Sequence, residues 1–290
     1  MTVLAAFFEA TQQIGCNWYA LADSAQNPAL PRLISGTLQS KCLFDVATDA
    51  PLAQKAPHLV ALAAPNQDGA WRWIERHAPH EPSVTVIQSH LNFSDLHTHL
   101  QKMTEVVLPD GDDMFFGFWD PATLGSLTGQ SDDQTLHVAG PVLKMPQLAY
   151  VVQGIEAWWY WDREGMLHSL PLAQWRSMQP EPAPWQLDQQ QVDDIVEAGL
   201  PDQILYHIQL NQPHLFDTHT PAHKRYRFVR TVTKAGQDIG LETMRDLTNF
   251  TSLALIYGVR MNSDALIKDL MLQVQQKKLT LEEAMTLMPE

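Results

Sequence analysis

Residues 105–120, EVVLPDGDDMFFGFWD, followed by Pro121, decide how the first half of this chain reads. Pro109 presets φ, Asp110 offers a side-chain acceptor and Gly111 can enter the left-handed region, so the three together specify a hairpin turn. In the returning strand Met114, Phe116 and Phe118 would share one side and Phe115 and Trp119 the other. Apolar residues on both sides predict a strand inside a sheet, covered on both faces. Asp120-Pro121 then reads as an N-cap with proline at the first helical position, opening a short helix that Gly129 can end.

Just upstream, Asp95-Leu96-His97-Thr98-His99-Leu100 imitates a metal-hydrolase signature, in which the two imidazoles of an HxH at a strand end face one ion. The local pattern is helical instead. Leu96, Leu100 and Met103 fall at i, i+4 and i+7, and Ser94 is a good N-cap. On a helix His97 and His99 lie about 200° apart around the axis and cannot chelate one ion, so they are expected to flank the apolar stripe. A metal-dependent hydrolase using His97 and His99 is the alternative to a binding function.

Working outward, 18–22 and 83–88 read as strands, 43–45 as a short strand, and 58–62 as a strand or a helix tail. Asn27-Pro28 predicts a capped helix ended by Gly36, and 71–76 has no clear assignment. Residues 157–170 form a second predicted hairpin, turning at Asp162 to Gly165. Its consecutive Trp158, Trp159, Tyr160 and Trp161 must point to both faces, toward the core, a second lobe or a partner. Tryptophan anchors interfaces often enough to make Trp158, Trp159 and Trp161 candidate partner-binding residues.

Gln179-Pro180-Glu181-Pro182-Ala183-Pro184-Trp185 reads as an extended spacer, because its prolines withhold backbone donors. The domains are therefore 1–178, a mixed α/β lobe with an α+β-like mixed sheet; 179–185, the linker; and 186–290, an all-helical C-terminal lobe. Helices are expected at about 189–198, 202–211, 221–235, 241–257, 263–277 and 280–288. Gly199, Gly236 and Gly258 would end three of them, Thr220-Pro221 and Asn262-Ser263 would start two, and Thr280 with Glu283 forms a capping box. One helix gathers Lys224, Arg225, Arg227, Arg230 and Lys234, either a solvated face or a docking site for an acidic partner. Lys224, Arg225, Arg227 and Arg230 are candidate partner-binding residues.

The 290 residues carry 19 Lys and Arg against 33 Asp and Glu, a formal charge of −14, which argues against a dominant nucleic-acid surface. No stretch reaches the roughly 18 to 20 apolar residues that span a bilayer, so no membrane insertion is expected. The apolar run 3–8 lacks the basic flank of a secretion signal. Cys16 and Cys42 fit inert thiols in a reducing cytoplasm. Gly125-Ser126-Leu127-Thr128-Gly129 is not GxSxG, and Walker A and GxGxxG motifs are missing. His214, His219 and His223 are read as loop and capping residues, and the pairs Asp132-Asp133 and Asp193-Asp194 as solvated surface. No catalytic residue, metal site or cofactor is assigned.

The order of motifs resembles the type VI secretion effector adaptor family. It runs from Asn17-Trp18-Tyr19-Ala20-Leu21-Ala22-Asp23 through Asn27-Pro28, Leu43-Phe44-Asp45, Ala56-Pro57-His58-Leu59-Val60 and the helix 94–103. Leu108-Pro109-Asp110-Gly111, Phe116-Gly117-Phe118-Trp119-Asp120-Pro121 and Gly140-Pro141-Val142 complete it, so about 17–145 are covered. The resemblance implies a non-catalytic cytoplasmic chaperone of a Gram-negative bacterium that binds its cognate effector and the VgrG spike protein and promotes loading of one onto the other. Many members carry an arginine where this chain has Gly117, and often a basic residue where it has Ala122. An immunity or regulatory binding protein is a further alternative.

Overall fold

The computed structural model describes residues 15–36, 39–44, 51–52, 55–63, 69–217 and 219–289, which divide into two compact units, 1–198 and 199–290. The apolar run 3–8 and Asp45 lie outside the described residues. A mixed α/β region is followed by an all-helical one, as expected, but the main sheet is antiparallel throughout rather than mixed.

The first unit is built on β1 (Asn17–Asp23), β2 (Ser40–Cys42), β3 (Pro57–Leu62), β4 (Val84–Ser89), β7 (Ile155–Trp161) and β8 (Leu167–Ser169). They form one sheet in the order β2-β3-β1-β4-β7-β8, each neighbouring pair antiparallel. The central β1 sets the register, with Ala20 opposite Val60 on one side and Val86 on the other. Helix α1 (Leu30–Ser35) and α2 (Gly69–His77) cover one face, where Leu30, Trp71 and Ile74 meet Trp18, Ala20, Val60, Val86, Trp159 and Trp161. The other face carries α3 (Phe93–Gln101), α4 (Pro121–Thr128) and α5 (Met145–Val151), whose Leu96, Leu100, Leu124, Leu127 and Leu148 pack with Tyr19, Leu21, Leu59, Ile87, Trp158 and Tyr160. Cover on both faces explains why the strands read as near-continuous apolar runs in an antiparallel sheet.

The segment 105–120 departs from its expectation. β5 (Glu105–Val107) and β6 (Asp113–Phe115) form the turn as predicted, with Gly111 at φ +97° and Asp110 Oδ1 accepting from the Asp112 amide at 3.1 Å. They make a separate two-stranded ribbon rather than joining the sheet, and β5 takes residues 185–187 as its other neighbour. Phe116 and Phe118 lie past the strand end and are buried, while Phe115 is exposed and stacks on Phe44 at 4.8 Å. Only one side of the ribbon is covered. The Asp120 cap holds, its carboxylate accepting from the Thr123 amide at 2.8 Å.

The Pro-rich segment is not a spacer. The Glu181 amide donates to the Pro146 carbonyl at 2.9 Å, and Trp185 and Leu187 are buried in the first unit's core. Val107 donates to the Trp185 carbonyl and accepts from Leu187, which makes residues 185–187 a parallel partner for β5. Extended, donor-poor backbone suits such a strap as well as a linker. The compact units divide instead at 198/199, within the single helix α6 (Gln189–Asn211), in which Gly199 and Pro201 are internal. Smaller shifts occur elsewhere: Asn92 rather than Ser94 caps α3, α1 begins after Ala29, 71–76 is helix, and the short strand is 40–42, with Leu43 and Phe44 outside it.

The second unit comprises the end of α6 with α7 (Ala222–Asp238), α8 (Met244–Tyr257), α9 (Arg260–Ser263), α10 (Ala265–Gln275) and α11 (Leu281–Thr286). Ile204, Ile208, Val229, Leu247, Leu270 and Ala284 share its core. Gly236 does not end α7: a Cβ there would lie 2.8 Å from Leu247 Cδ2, so its role is close approach to α8. Asp264, rather than Asn262 or Ser263, caps α10. Gly258 ends α8, and both halves of the Thr280/Glu283 capping box are made.

β1 ends on buried Asp23, whose carboxyl is pushed up to about 6, chiefly by burial, against the amide of Ala25 that favours the anion, with nearby Asp120 raising it further. A raised folded-state value gives stability that is complete below the unfolded value of 3.8 and is lost as pH rises through about 6. Asp23→Asn is therefore expected to stabilise the first unit by up to about 3 kcal/mol at pH 8 and by little at pH 4. Thermal melts of both proteins at the two pH values check this; a gain of equal size at both would refute it.

Candidate functional site

The histidines of the hydrolase-like string are placed on α3 and held apart. His97 Nε2 donates to the Cys42 carbonyl at 2.7 Å, and His99 Nε2 donates to the Val151 carbonyl at 3.2 Å. Burial lowers both pKa values against the opposing effect of those carbonyls, which keeps both rings neutral. The two side chains thus tie α3 to segments near β2 and α5. Both flank the Leu96/Leu100 stripe as the helical reading requires, but they are packed inward rather than solvated. His214, His219 and His223 join no metal-capable group among the described residues.

The aromatic run is divided by the two-residue period of β7. Trp158 and Tyr160 enter one core, Trp159 and Trp161 the other, and all four are at most 6 % exposed. Trp18 stacks on Trp159 at 5.7 Å, and Trp158 Nε1 donates to Thr85 Oγ1 at 2.9 Å. This corrects the candidate assignment of Trp158, Trp159 and Trp161 to a partner surface. Their cover comes from the first unit's own helices on both faces of the sheet.

Four of the five basic residues share a face of α7, and Arg225 does not. Lys224, Arg227 and Lys234 are exposed on α7, and Arg225 and Arg230 are half-buried. At 100° per residue, Lys224, Arg227, Arg230 and Lys234 fall within an arc of about 120°, whereas Arg225 points elsewhere. Phe228, Val232 and Ala235 occupy the adjacent arc and, with Thr231 at the border of the basic face, line a groove of about 670 Å³. Phe250 and Ala254 of α8 and Lys268, Met271 and Leu272 of α10 complete its walls. The second unit therefore presents an apolar trough with a cationic ridge along one rim. The groove-lining positions are spread over three helices, so no local string marks it.

One polar cluster was missed. Asp133, buried in the loop after α4, faces Asp162 in the β7–β8 turn and His168 in β8. His168 Nε2 lies 3.1 Å from Asp162 Oδ2, and its Nδ1 lies 3.2 Å from Asp132 Oδ2. Burial works against a charged His168, but Asp162, Asp133 and Asp132 outweigh it and raise the pKa. Of the pair expected at the surface, Asp132 is exposed and Asp133 is not. An inward-facing histidine opposite Tyr160 on the hairpin was the signal that pointed here.

Residues 18–138 match the family model of a domain of unknown function, DUF4123. The matched span runs from β1 to the loop that carries Asp132 and Asp133, and so contains four of the six main-sheet strands and the β5–β6 ribbon. No curated protein and no solved structure matches the chain. Among the described residues, no helix is long and apolar enough to cross a membrane.

Proposed function

We propose that this chain is a non-catalytic adaptor that binds a type VI secretion effector in the cytoplasm and promotes its loading onto the VgrG spike. The observation that carries this reading is one of position: the ordered motifs resembling the adaptor family occupy 17–145, and the matched domain occupies 18–138. The inward placement of His97 and His99 removes the motif on which a hydrolase reading rested.

The groove of the second unit is the docking surface this function would use. Its walls are mainly apolar, with Asn262, Lys268 and Asp269 among them, and one rim is cationic, which suits an amphipathic segment of the effector with acidic residues along one edge. Lys224 and Lys234 would steer that edge at low salt, and the apolar walls would supply the affinity.

Co-expression with a candidate effector and spike, followed by size-exclusion chromatography, tests the reading. Co-elution of the chain with the effector is expected; independent elution of all three proteins would overturn it. Leu272 is exposed on the groove wall, so Leu272→Glu should leave the melting temperature unchanged while weakening the complex by on the order of tenfold or more. A complex that forms equally well with Leu272→Glu would retain the adaptor and move its docking surface elsewhere.

A further inference from the structure

We propose that Asp133, Asp162 and His168 form a binding site for one divalent transition-metal ion of the zinc or manganese type. The three residues come from different segments, are all buried, and each presents one ligand atom, with these atoms within 4.8 Å of one another. Ligand atoms around an ion with bonds of about 2.0–2.2 Å sit about 3–4 Å apart, so closure needs only small side-chain movements.

The hydrogen bonds around the cluster orient both carboxylates, and the one contact between proposed ligands, His168 Nε2 to Asp162 Oδ2 at 3.1 Å, carries a proton that an ion would displace. Asp133 Oδ1 accepts from the amide and hydroxyl of Thr135, at 2.8 and 2.7 Å, and its Oδ2 accepts from the Tyr160 hydroxyl at 2.9 Å. Asp162 Oδ1 accepts from the amides of Glu164 and Met166, at 2.8 and 2.9 Å. A carboxylate oxygen has two acceptor positions, so Asp133 Oδ2, which accepts from Tyr160, retains one, and Asp162 Oδ2 can bind an ion once the His168 Nε2 proton has left. Both carboxylates are thereby oriented before any ion arrives.

The other ring nitrogen strengthens the assignment. A metal-bound imidazole characteristically donates its remaining N–H to a carboxylate, which fixes tautomer and ring plane. Here Nδ1 lies 3.2 Å from Asp132 Oδ2, and Asp132 is itself held by Gln130 Nε2 at 2.8 Å. Beside the site, Gln130 is 7 % exposed, its Nε2 donates to Asp132 Oδ1 and the Ser169 carbonyl, and its Oε1 is buried without a hydrogen-bond partner. Two buried carboxylates beside one imidazole also leave negative charge that a divalent cation neutralises.

Such an ion would join the loop after α4 to the β7–β8 hairpin, linking the matched domain to the part of the sheet that lies beyond it. Its role would be to hold the fold, and no activity is implied.

The full chain, stripped with chelator and dialysed, is titrated with Zn²⁺ and separately with Mn²⁺ by calorimetry, with bound metal counted by elemental analysis. One equivalent per chain is expected with at least one of the two ions, together with a concentration-dependent rise in melting temperature. Asp133→Asn and His168→Gln should each weaken binding by at least about 100-fold, and Asp132→Asn by about 10- to 100-fold. Nitrogen-detected NMR of the parent protein needs no variant: Zn²⁺ should move the Nε2 resonance of His168, or Mn²⁺ broaden it away, while those of His97 and His99 stay in place. No bound metal, or stoichiometric metal that leaves the His168 resonance unchanged, would overturn the site.

Discussion

Gly140→Ala should lower the melting temperature of the first unit by about 6–12 °C, while Gly117→Ala, in another of the family-like motifs, should leave it unchanged. Gly140 sits at φ +71°, and a Cβ built on it would lie 1.9 Å from the carbonyl oxygen of Ser126. That oxygen cannot easily move, since it belongs to α4 and also accepts from the Val142 amide at 3.2 Å. The next carbonyl, of Leu127, accepts from Leu143 at 3.1 Å, and Ser126 Oγ donates to Val138 at 2.8 Å, so 138–143 is stitched along the helix. A left-handed conformation costs an alanine about 1–2 kcal/mol, and relieving the overlap about 1–3 more. In a unit of 198 residues a total near 3 kcal/mol corresponds to the stated shift. Gly117 has ordinary φ, and an added methyl there would meet nothing within 4 Å, hence the contrast. All nine tryptophans lie in the first unit, so tryptophan emission during heating follows this unit alone. A Gly140→Ala protein that melts with its parent would refute the packing argument.

The elements that could be read in advance were those whose signal is local. The αL glycine of the 109–111 turn, the Asp120 cap and the Thr280/Glu283 box each involve atoms a few residues apart, and all three are present. The helical reading of 94–103 worked for the same reason: the spacing of Leu96 and Leu100 outweighed the appearance of the two histidines. Misreadings arose where the deciding partner lies far along the chain. β6 pairs only with β5, outside the main sheet, and alternation within 113–119 carries no trace of which strands it will meet. The prolines of 180–184 specify extended backbone but not its destination, which Trp185 and Val107 determine. Gly199 and Gly236 looked like helix ends because glycine is permissive; inside a packed helix the same missing Cβ permits contact with a neighbouring element, as Leu247 shows at Gly236.

The candidate sites divide along the same line. The cationic face of α7 was visible because helical periodicity places Lys224, Arg227, Arg230 and Lys234 together. The trough beside it was not, since α8 and α10 contribute its other walls. Asp133 was read as solvated because adjacent acids usually are, and only the return of the hairpin at Asp162 and His168 encloses it.

Trp158→Ala should destabilise the first unit by about 4–5 kcal/mol, the largest effect expected from a single truncation here. The side chain is fully buried, so its removal forfeits the transfer energy of an indole and leaves a cavity among Phe118, Tyr160 and their neighbours. It also deprives Thr85 Oγ1, at 2.9 Å, of its donor in a place closed to water. Phe118 loses an edge-to-face partner at 6.3 Å. Trp158→Phe keeps most of the volume and the ring contact, so it should cost about half as much, mainly through the lost hydrogen bond and the residual void. Chemical denaturation followed by the eight remaining tryptophans measures both. This series separates the two readings of the aromatic run: an interface anchor would lose partner binding while the melt stayed unchanged. Trp158→Ala is instead expected to lose stability even when no partner is present. Any loss of effector binding in that variant then reports a damaged scaffold, which makes Leu272→Glu on the groove wall the informative probe of docking.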